Sequence, residues 1–371
     1  VVRSNTDRFV TLSISPLEGP DGAVLPPPDR FRVGYVPIDW PQGYSSSRAP
    51  AYHRMRPRSR GSDGWPGPWP DPLIPLKPKA RIPLTENASQ PLWIDVEVPA
   101  DAAPGDYRAI LTVRDGKVHR NMPLHVRVWK AVMPADRHLP ALYDLRRGRG
   151  LNPFQGEDKD AAVRTWYRFL ARYHVSPSFV LDEPVFSYDD GVVSMKTEAF
   201  DRMATLLFDK LGVTKVYTPR IFYACGWAYP PKRIFGLEPF TPEYVAAWKQ
   251  AYRLFIDHIT EKGWCDRFVF YISDEPHETS ERTISGIARI ADMATEIAPD
   301  VLVYSSTWRY IEGFAGHLTL WGMGPQGSFD EQHYRERKAA GDRFWYTTDG
   351  QMCTDTPYLA IERLLPWFCM K

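Results

Sequence analysis

Asp274-Glu275-Pro276 is the tripeptide in this chain best suited to bond-making chemistry. It closes the apolar run Phe268-Val269-Phe270-Tyr271-Ile272-Ser273 and so sets two adjacent carboxyl groups where a buried strand gives way to a loop. Cleavage of a glycosidic bond requires a carboxylic acid to protonate the leaving oxygen and a second group to stabilise charge at the anomeric carbon. Two neighbouring carboxyls can supply both. The structural alternative is that Asp274 caps a following helix and Pro276 begins it, since both residue types are favoured there. A second copy of the tripeptide, Asp182-Glu183-Pro184, runs into Val185-Phe186-Ser187-Tyr188-Asp189-Asp190-Gly191, which reads as a turn, so a structural role is expected for it.

Other predicted strand ends contribute Asp144, Arg220, Tyr304, Trp308, Trp321, Tyr346 and Asp349. Each alone reads as packing or capping. Converging on one face they would form a sugar subsite, with Trp321 and Trp308 as stacking platforms. His277 beside the acids reads as a loop residue. No metal-ligand constellation, glycine-rich phosphate loop or serine nucleophile elbow is present in the sequence, so no metal or other cofactor is expected.

These residues need a scaffold, and the chain supplies two rhythms. From Phe9 to Val128 apolar residues alternate with period two, as in Ile94, Val96 and Val98 or Tyr107, Ala109, Leu111 and Val113, with Asp115-Gly116 placed as a hairpin turn. This predicts an antiparallel β-sandwich over residues 1–135. Within it, Pro37 to Pro83 is dense in Pro, Gly, Ser and Arg around Trp40, Trp65 and Trp69, and is expected to be a long loop. After Pro134 strands alternate with amphipathic helices: 139–143 with 161–173, 178–181 with 198–211, 215–218 with 242–260, and 267–272 with 280–297. The pattern continues as 301–305 with a short segment near Tyr310, 318–321 with 330–340, and 344–347 with 358–369. Seven βα units predict a (β/α)8-type TIM barrel over residues 136–371 whose eighth strand lies outside the chain, which is then expected to be a fragment. In such barrels the active site lies at the C-terminal ends of the strands, where Asp274 and Glu275 fall at strand four.

Composition narrows the ligand. The 46 Lys and Arg against 45 Asp and Glu give a net charge of +1, with no electrostatic reason to expect a nucleic acid partner or an anionic membrane. A neutral sugar suits it better, and the 13 Trp are the kind of surface sugar rings stack on. Cys225, Cys265, Cys353 and Cys369 have neither zinc-site spacing nor the density of a disulfide framework, and read as thiols. There is no run of about 20 apolar residues that would span a membrane. The chain opens at Val1 with no signal-peptide pattern, so a leader could precede it, leaving compartment and oligomeric state open.

The ordered segments Gln90-Pro91-Leu92-Trp93-Ile94-Asp95-Val96-Glu97-Val98-Pro99, Pro104-Gly105-Asp106-Tyr107, Val128-Trp129, Phe270-Tyr271-Ile272-Ser273-Asp274-Glu275-Pro276, Trp345-Tyr346-Thr347-Thr348 and Ile361-Glu362-Arg363-Leu364-Leu365-Pro366-Trp367 together resemble glycoside hydrolase family 123, the β-N-acetylgalactosaminidases, and the wider group sharing its catalytic domain. The resemblance implies that Glu275 is the general acid/base. It implies that Asp274 orients the substrate's own 2-acetamido group, whose carbonyl oxygen attacks the anomeric carbon. A nucleophile carried by the substrate explains why the acids can be neighbours. The expectation is a retaining, exo-acting β-N-acetylhexosaminidase, with N-acetylgalactosamine the leading sugar and an oligosaccharide or glycoconjugate as substrate. A retaining glycosidase for a sugar without the acetamido group, and a carbohydrate-binding protein without turnover, stay open as alternatives.

Overall fold

The computed structural model describes residues 1–38, 67–116, 118–134, 138–145, 159–323, 329–346 and Trp367. They fall into two compact units, one from the described part of Val1–Pro134 and the other from the described parts of Ala135–Gln351 and Ala360–Lys371. Trp40, Trp65, Asp349, Cys353, Cys369 and the expected helix at 358–369, apart from Trp367, lie outside the described residues.

The first unit is antiparallel. Its strands are β1 (Val2–Arg3), β2 (Arg8–Ile14), β3 (Leu17–Glu18), β4 (Val24–Leu25), β5 (Asp29–Ile38), β6 (Gly67–Pro75), β7 (Ile82–Leu84), β8 (Ser89–Gln90), β9 (Leu92–Asp95), β10 (Gly105–Asp115) and β11 (Val118–Val128). Strands run in the order β4-β3-β10-β2-β7 with β11 against β10, while β6-β5-β9 form a separate three-stranded sheet. Val10, Leu12, Ile82, Leu84 and Leu111 of the larger sheet pack against Leu92 and Ile94 of the smaller, because period-two alternation gives each strand one apolar face. One expectation fails here. Gly67–Pro75, assigned to a loop for its prolines, is a strand paired with β5. It lies at the sheet edge, where a strand tolerates prolines that lack an N–H, and its pairing with β5 shifts register between Val33 and Tyr35.

The second unit is a curled parallel sheet, resembling half a barrel, backed by helices. Strands β12 (Leu142–Tyr143) and β13 (Ser176–Pro177) pair in parallel. The Tyr217 N–H donates to the Ser178 carbonyl and joins them to β16 (Val216–Tyr217). From there the order is β16, β18 (Phe268–Asp274), β19 (Leu302–Trp308), β20 (Leu320–Met323) and β21 (Arg343–Tyr346), with the short β17 (Cys225–Gly226) also on β18. The helices are α1 (Lys159–Arg172), α2 (Glu198–Thr205, continued by a π-helical turn Leu206–Lys210), α3 (Pro242–Glu261), α4 (Glu281–Ile297) and α5 (Glu331–Ala339). Thr241 caps α3 by accepting the Tyr244 N–H, with Pro242 in the first turn where a missing N–H costs nothing. The buried stripe Tyr244, Ala247, Trp248, Ala251, Tyr252, Phe255 and Ile259 then faces the sheet. Both faces of β18 are apolar, as a central parallel strand requires: Phe268, Phe270 and Ile272 join the helices' core, and Val269 and Tyr271 join a second cluster with Tyr217, Tyr304, Leu320 and Trp345.

The stretch after Asp182-Glu183-Pro184, read as a turn, is a β-hairpin of β14 (Val185–Asp189) and β15 (Val192–Lys196), with only Asp190-Gly191 turning. Both turn residues have positive φ, +42° and +81°, which the Asn/Asp-Gly type of hairpin turn demands.

Candidate active site

The inner face of the parallel sheet is filled by an aromatic layer. Tyr217 stacks on Tyr271 at 4.4 Å and on Tyr304 at 5.6 Å, and Tyr304 meets Trp345 at 5.1 Å. Burial pushes the Tyr217 and Tyr271 phenols well above their ordinary range, reinforced at Tyr217 by Tyr304 and at Tyr271 by the charge of Asp274, so both stay neutral. This layer floors the space in which the strand ends meet.

Asp274 is the last residue of β18, at the strand's C-terminal end. Its Oδ1 accepts a 2.6 Å hydrogen bond from Ser306 Oγ on the neighbouring β19. Tyr271 is also hydrogen-bonded to Ser306. Glu275 follows with φ +43°, its N–H donating to the Ser306 carbonyl at 3.2 Å. Its Oε2 accepts the indole N–H of Trp227 at 3.0 Å. Trp227 is held in turn, since its own N–H donates to the Asp274 carbonyl and its carbonyl accepts the His277 N–H. Gly226 allows this approach: a Cβ there would lie 3.0 Å from the Asp274 carbonyl oxygen and 2.6 Å from the Tyr223 hydroxyl. Trp227, Glu275 and Trp308 all take positive φ, at +52°, +43° and +63°. Such strain in non-glycine residues persists only where surroundings impose it, and it gathers at functional sites.

The expected site residues divide. Trp308 pairs with Met323, and Met323 with Tyr346, so both aromatics stand at the same C-terminal edge as Asp274. Asp144, just beyond β12, accepts the Ser178 hydroxyl at 3.3 Å and is close enough to Tyr217 to raise its phenol further. Tyr304 reaches this face as part of the aromatic floor, where it is buried. Arg220 lies beyond β16, its guanidinium 4.8 Å from the Phe179 ring and 3.8 Å from Glu183. Trp321 is not in this company. It is 0% exposed, packs in the helix-side core, stacks on Tyr310 at 5.6 Å and donates to Asp342 at 2.7 Å. The register explains this: Leu320 lies opposite Tyr304 on the inner face, so the pleat turns Trp321 outward, where no sugar can stack on it.

Trp227, Ser306 and Tyr271 were not singled out by the sequence, although a hydroxyl run Ser305-Ser306-Thr307 closing an apolar strand is a usable signal, because buried hydroxyls need partners. Glu183 is the other addition. It accepts the Arg220 N–H at 3.0 Å, and burial raises its pKa against the lowering pull of that N–H and of the Arg220 guanidinium. Burial pushes the Cys225 thiol to about 12, too high for a nucleophile near neutral pH. Among the described residues no group of three or more His, Cys, Asp or Glu could hold a metal ion, and no helix is long and apolar enough to cross a membrane.

Residues 185–357 match the family model described as glycoside hydrolase 123, catalytic domain, in agreement with the resemblance carried by the strand ending in Asp274-Glu275-Pro276. The matched segment holds both acids, Arg220 and Trp227, and begins after Asp144 and Glu183. Among solved structures the chain is similar to a family 123 glycoside hydrolase from Clostridium perfringens, studied for glycolipid glycan hydrolysis. The identity is 13% and the TM-score 0.60, over 93% of this chain and 64% of that one. The chain thus spans less than two thirds of that protein's length, and the likeness is one of fold. It is also similar to a β-glucuronidase from Parabacteroides merdae at 12% identity and a TM-score of 0.30, over 92% of this chain and 36% of that one. No curated protein sequence matches.

Proposed function

We propose that the protein is a retaining, exo-acting glycoside hydrolase, a β-N-acetylhexosaminidase with N-acetylgalactosamine as its sugar, working through substrate assistance. The observation that carries this reading is the acid pair: two adjacent carboxyls at a strand's C-terminal end, each held by its own donor, Ser306 for Asp274 and Trp227 for Glu275. The proposed scaffold is a β-sandwich over residues 1–135 followed by a TIM-type barrel over 136–371.

In the first step Glu275 donates its proton to the glycosidic oxygen as the bond to the anomeric carbon breaks. The acetamido carbonyl oxygen attacks that carbon and closes an oxazoline ring. Asp274 accepts the acetamido N–H on Oδ2, Oδ1 being engaged by Ser306, and its negative charge offsets the positive charge spreading over the new ring. Glu275, now ionised, takes a proton from water, which opens the ring and restores the original anomeric configuration. Asp144, Arg220, Trp308 and Tyr346 wall the sugar site in this reading, with Tyr304 in its floor. The substrate is a glycan or glycoconjugate, a class that includes the glycolipid glycans associated with the Clostridium perfringens protein.

A second reading has its own observation. A retaining glycosidase for a sugar without an acetamido group needs a second carboxylate facing the acid, and Glu183 is a partly buried carboxyl that accepts the N–H of Arg220, just beyond β16, the strand beside β18. Hydrolysis of aryl β-glycosides with and without the 2-acetamido group separates the two. Cleavage confined to 2-acetamido sugars supports substrate assistance, and efficient cleavage of the others, abolished by Glu183→Gln, supports the second reading.

A further inference from the structure

Resting on that reading, we infer that Trp227 builds the subsite for the leaving group, a pyranose ring of the glycan aglycone, and is at the same time the positioning residue for Glu275. The general acid protonates the oxygen that links the cleaved sugar to the rest of the glycan, so whatever abuts the acid's carboxyl stands on the leaving-group side. Trp227 abuts it directly, with Nε1 3.0 Å from Glu275 Oε2. The ring is nonetheless 55% exposed, and Tyr229, two residues on, is 66% exposed. An indole with one edge committed to a carboxyl and its flat faces in water is unlike the buried tryptophans of this unit, Trp248, Trp264 and Trp321. A flat apolar face beside a polar edge is what a pyranose packs against.

The loop is built to hold that ring in place. Trp227 keeps a left-handed φ of +52°, costly for a tryptophan, and is clamped by the hydrogen bonds to Asp274 and His277 on either side of the acid. Tyr229 is fixed behind it, its carbonyl accepting the Thr283 hydroxyl at 3.2 Å and its N–H donating to the Gly226 carbonyl. The indole N–H on Oε2 also fixes the orientation of the acid's carboxyl.

Two variants test this with two substrates sharing the cleaved sugar: a disaccharide with a pyranose aglycone, and the glycosyl fluoride, which has no aglycone ring and needs little protonation. The ratio of kcat/KM for the disaccharide to that for the fluoride should fall about tenfold in Trp227→Ala, the size of one lost ring contact. It should fall less in Trp227→Phe, which keeps a flat face and loses only the N–H that positions the acid. The indole N–H favours the ionised carboxylate, so Trp227→Phe should also move the alkaline limb of the disaccharide pH profile upward. An unchanged ratio in Trp227→Ala overturns the subsite, and an unmoved alkaline limb in Trp227→Phe overturns the positioning role. A wild type that cleaves neither substrate overturns the proposed function itself.

Discussion

Ser306→Ala isolates the contact that orients Asp274. The bond it removes is 2.6 Å long, part-buried and made to a carboxylate, and hydrogen bonds to charged groups contribute about 1.5–3 kcal/mol. At about 1.4 kcal/mol per tenfold in rate, that range corresponds to roughly 10- to 150-fold. Tyr271 stays nearby and can turn its hydroxyl toward Asp274, which places the expected loss in the lower part of the range, about 10- to 30-fold in kcat/KM. An aryl glycoside with a good leaving group is the right substrate, because leaving-group protonation then limits little and the acetamido step shows. The double-mutant cycle with Asp274→Asn decides the cause. Ser306 acting through Asp274 predicts that adding Ser306→Ala to Asp274→Asn costs less than about threefold more. The same 10- to 30-fold loss in both backgrounds would refute the reasoning, as would no loss in either.

Glu275→Gln should cost about 10²–10⁴ in rate on glycosides with poor leaving groups and far less on activated aryl glycosides, measured as kcat across a leaving-group series. Trp321→Ala should lower stability by about 3–5 kcal/mol in urea unfolding, because it empties a fully buried site. The folded variant should keep its kcat/KM within a few-fold, whereas a stacking platform would lose sugar affinity. Glu183 binds its proton more tightly in the folded than in the unfolded chain, so its contribution to stability is greatest in acid and is lost as pH rises through its raised pKa. Glu183→Gln should therefore raise Tm relative to wild type more at pH 8 than at pH 4.5, with cleavage of 2-acetamido glycosides kept; an equal Tm difference at both pH values would remove the desolvation argument.

The central parallel strands were legible because they bury both faces, so Phe268-Val269-Phe270-Tyr271-Ile272 reads as one apolar run, and because capped amphipathic segments such as Pro242–Glu261 follow them; the strand expected at 178–181 instead lies at Ser176–Pro177, and 178–181 is buried but not a strand. The acid pair was legible for the same reason, since carboxyls cannot continue a buried strand and so mark its end. Trp321 was misplaced because sequence gives the alternation of a strand but not its phase against a neighbour; one residue of register exchanges Leu320 and Trp321 between faces. The hairpin of Val185–Lys196 was overlooked although Asp190-Gly191 between two alternating runs is its ordinary signal. Gly67–Pro75 hid behind prolines that an edge strand tolerates. Trp227 could not be found from periodicity at all, because it lies in a loop whose path is set by contacts with Asp274 and His277, remote in sequence.

The central claim is that the substrate's acetamido group is the nucleophile and that Asp274 holds it. The most direct measurement is the dissociation constant of a stable thiazoline mimic of the bicyclic intermediate, by calorimetry, for wild type and Asp274→Asn. The account predicts binding to the wild type and at least tenfold weaker binding to the variant, in line with the loss of a charge-assisted hydrogen bond of about 1.5 kcal/mol or more. Equal affinity for both proteins, or no binding to a wild type that readily cleaves aryl glycosides lacking the acetamido group, would contradict it.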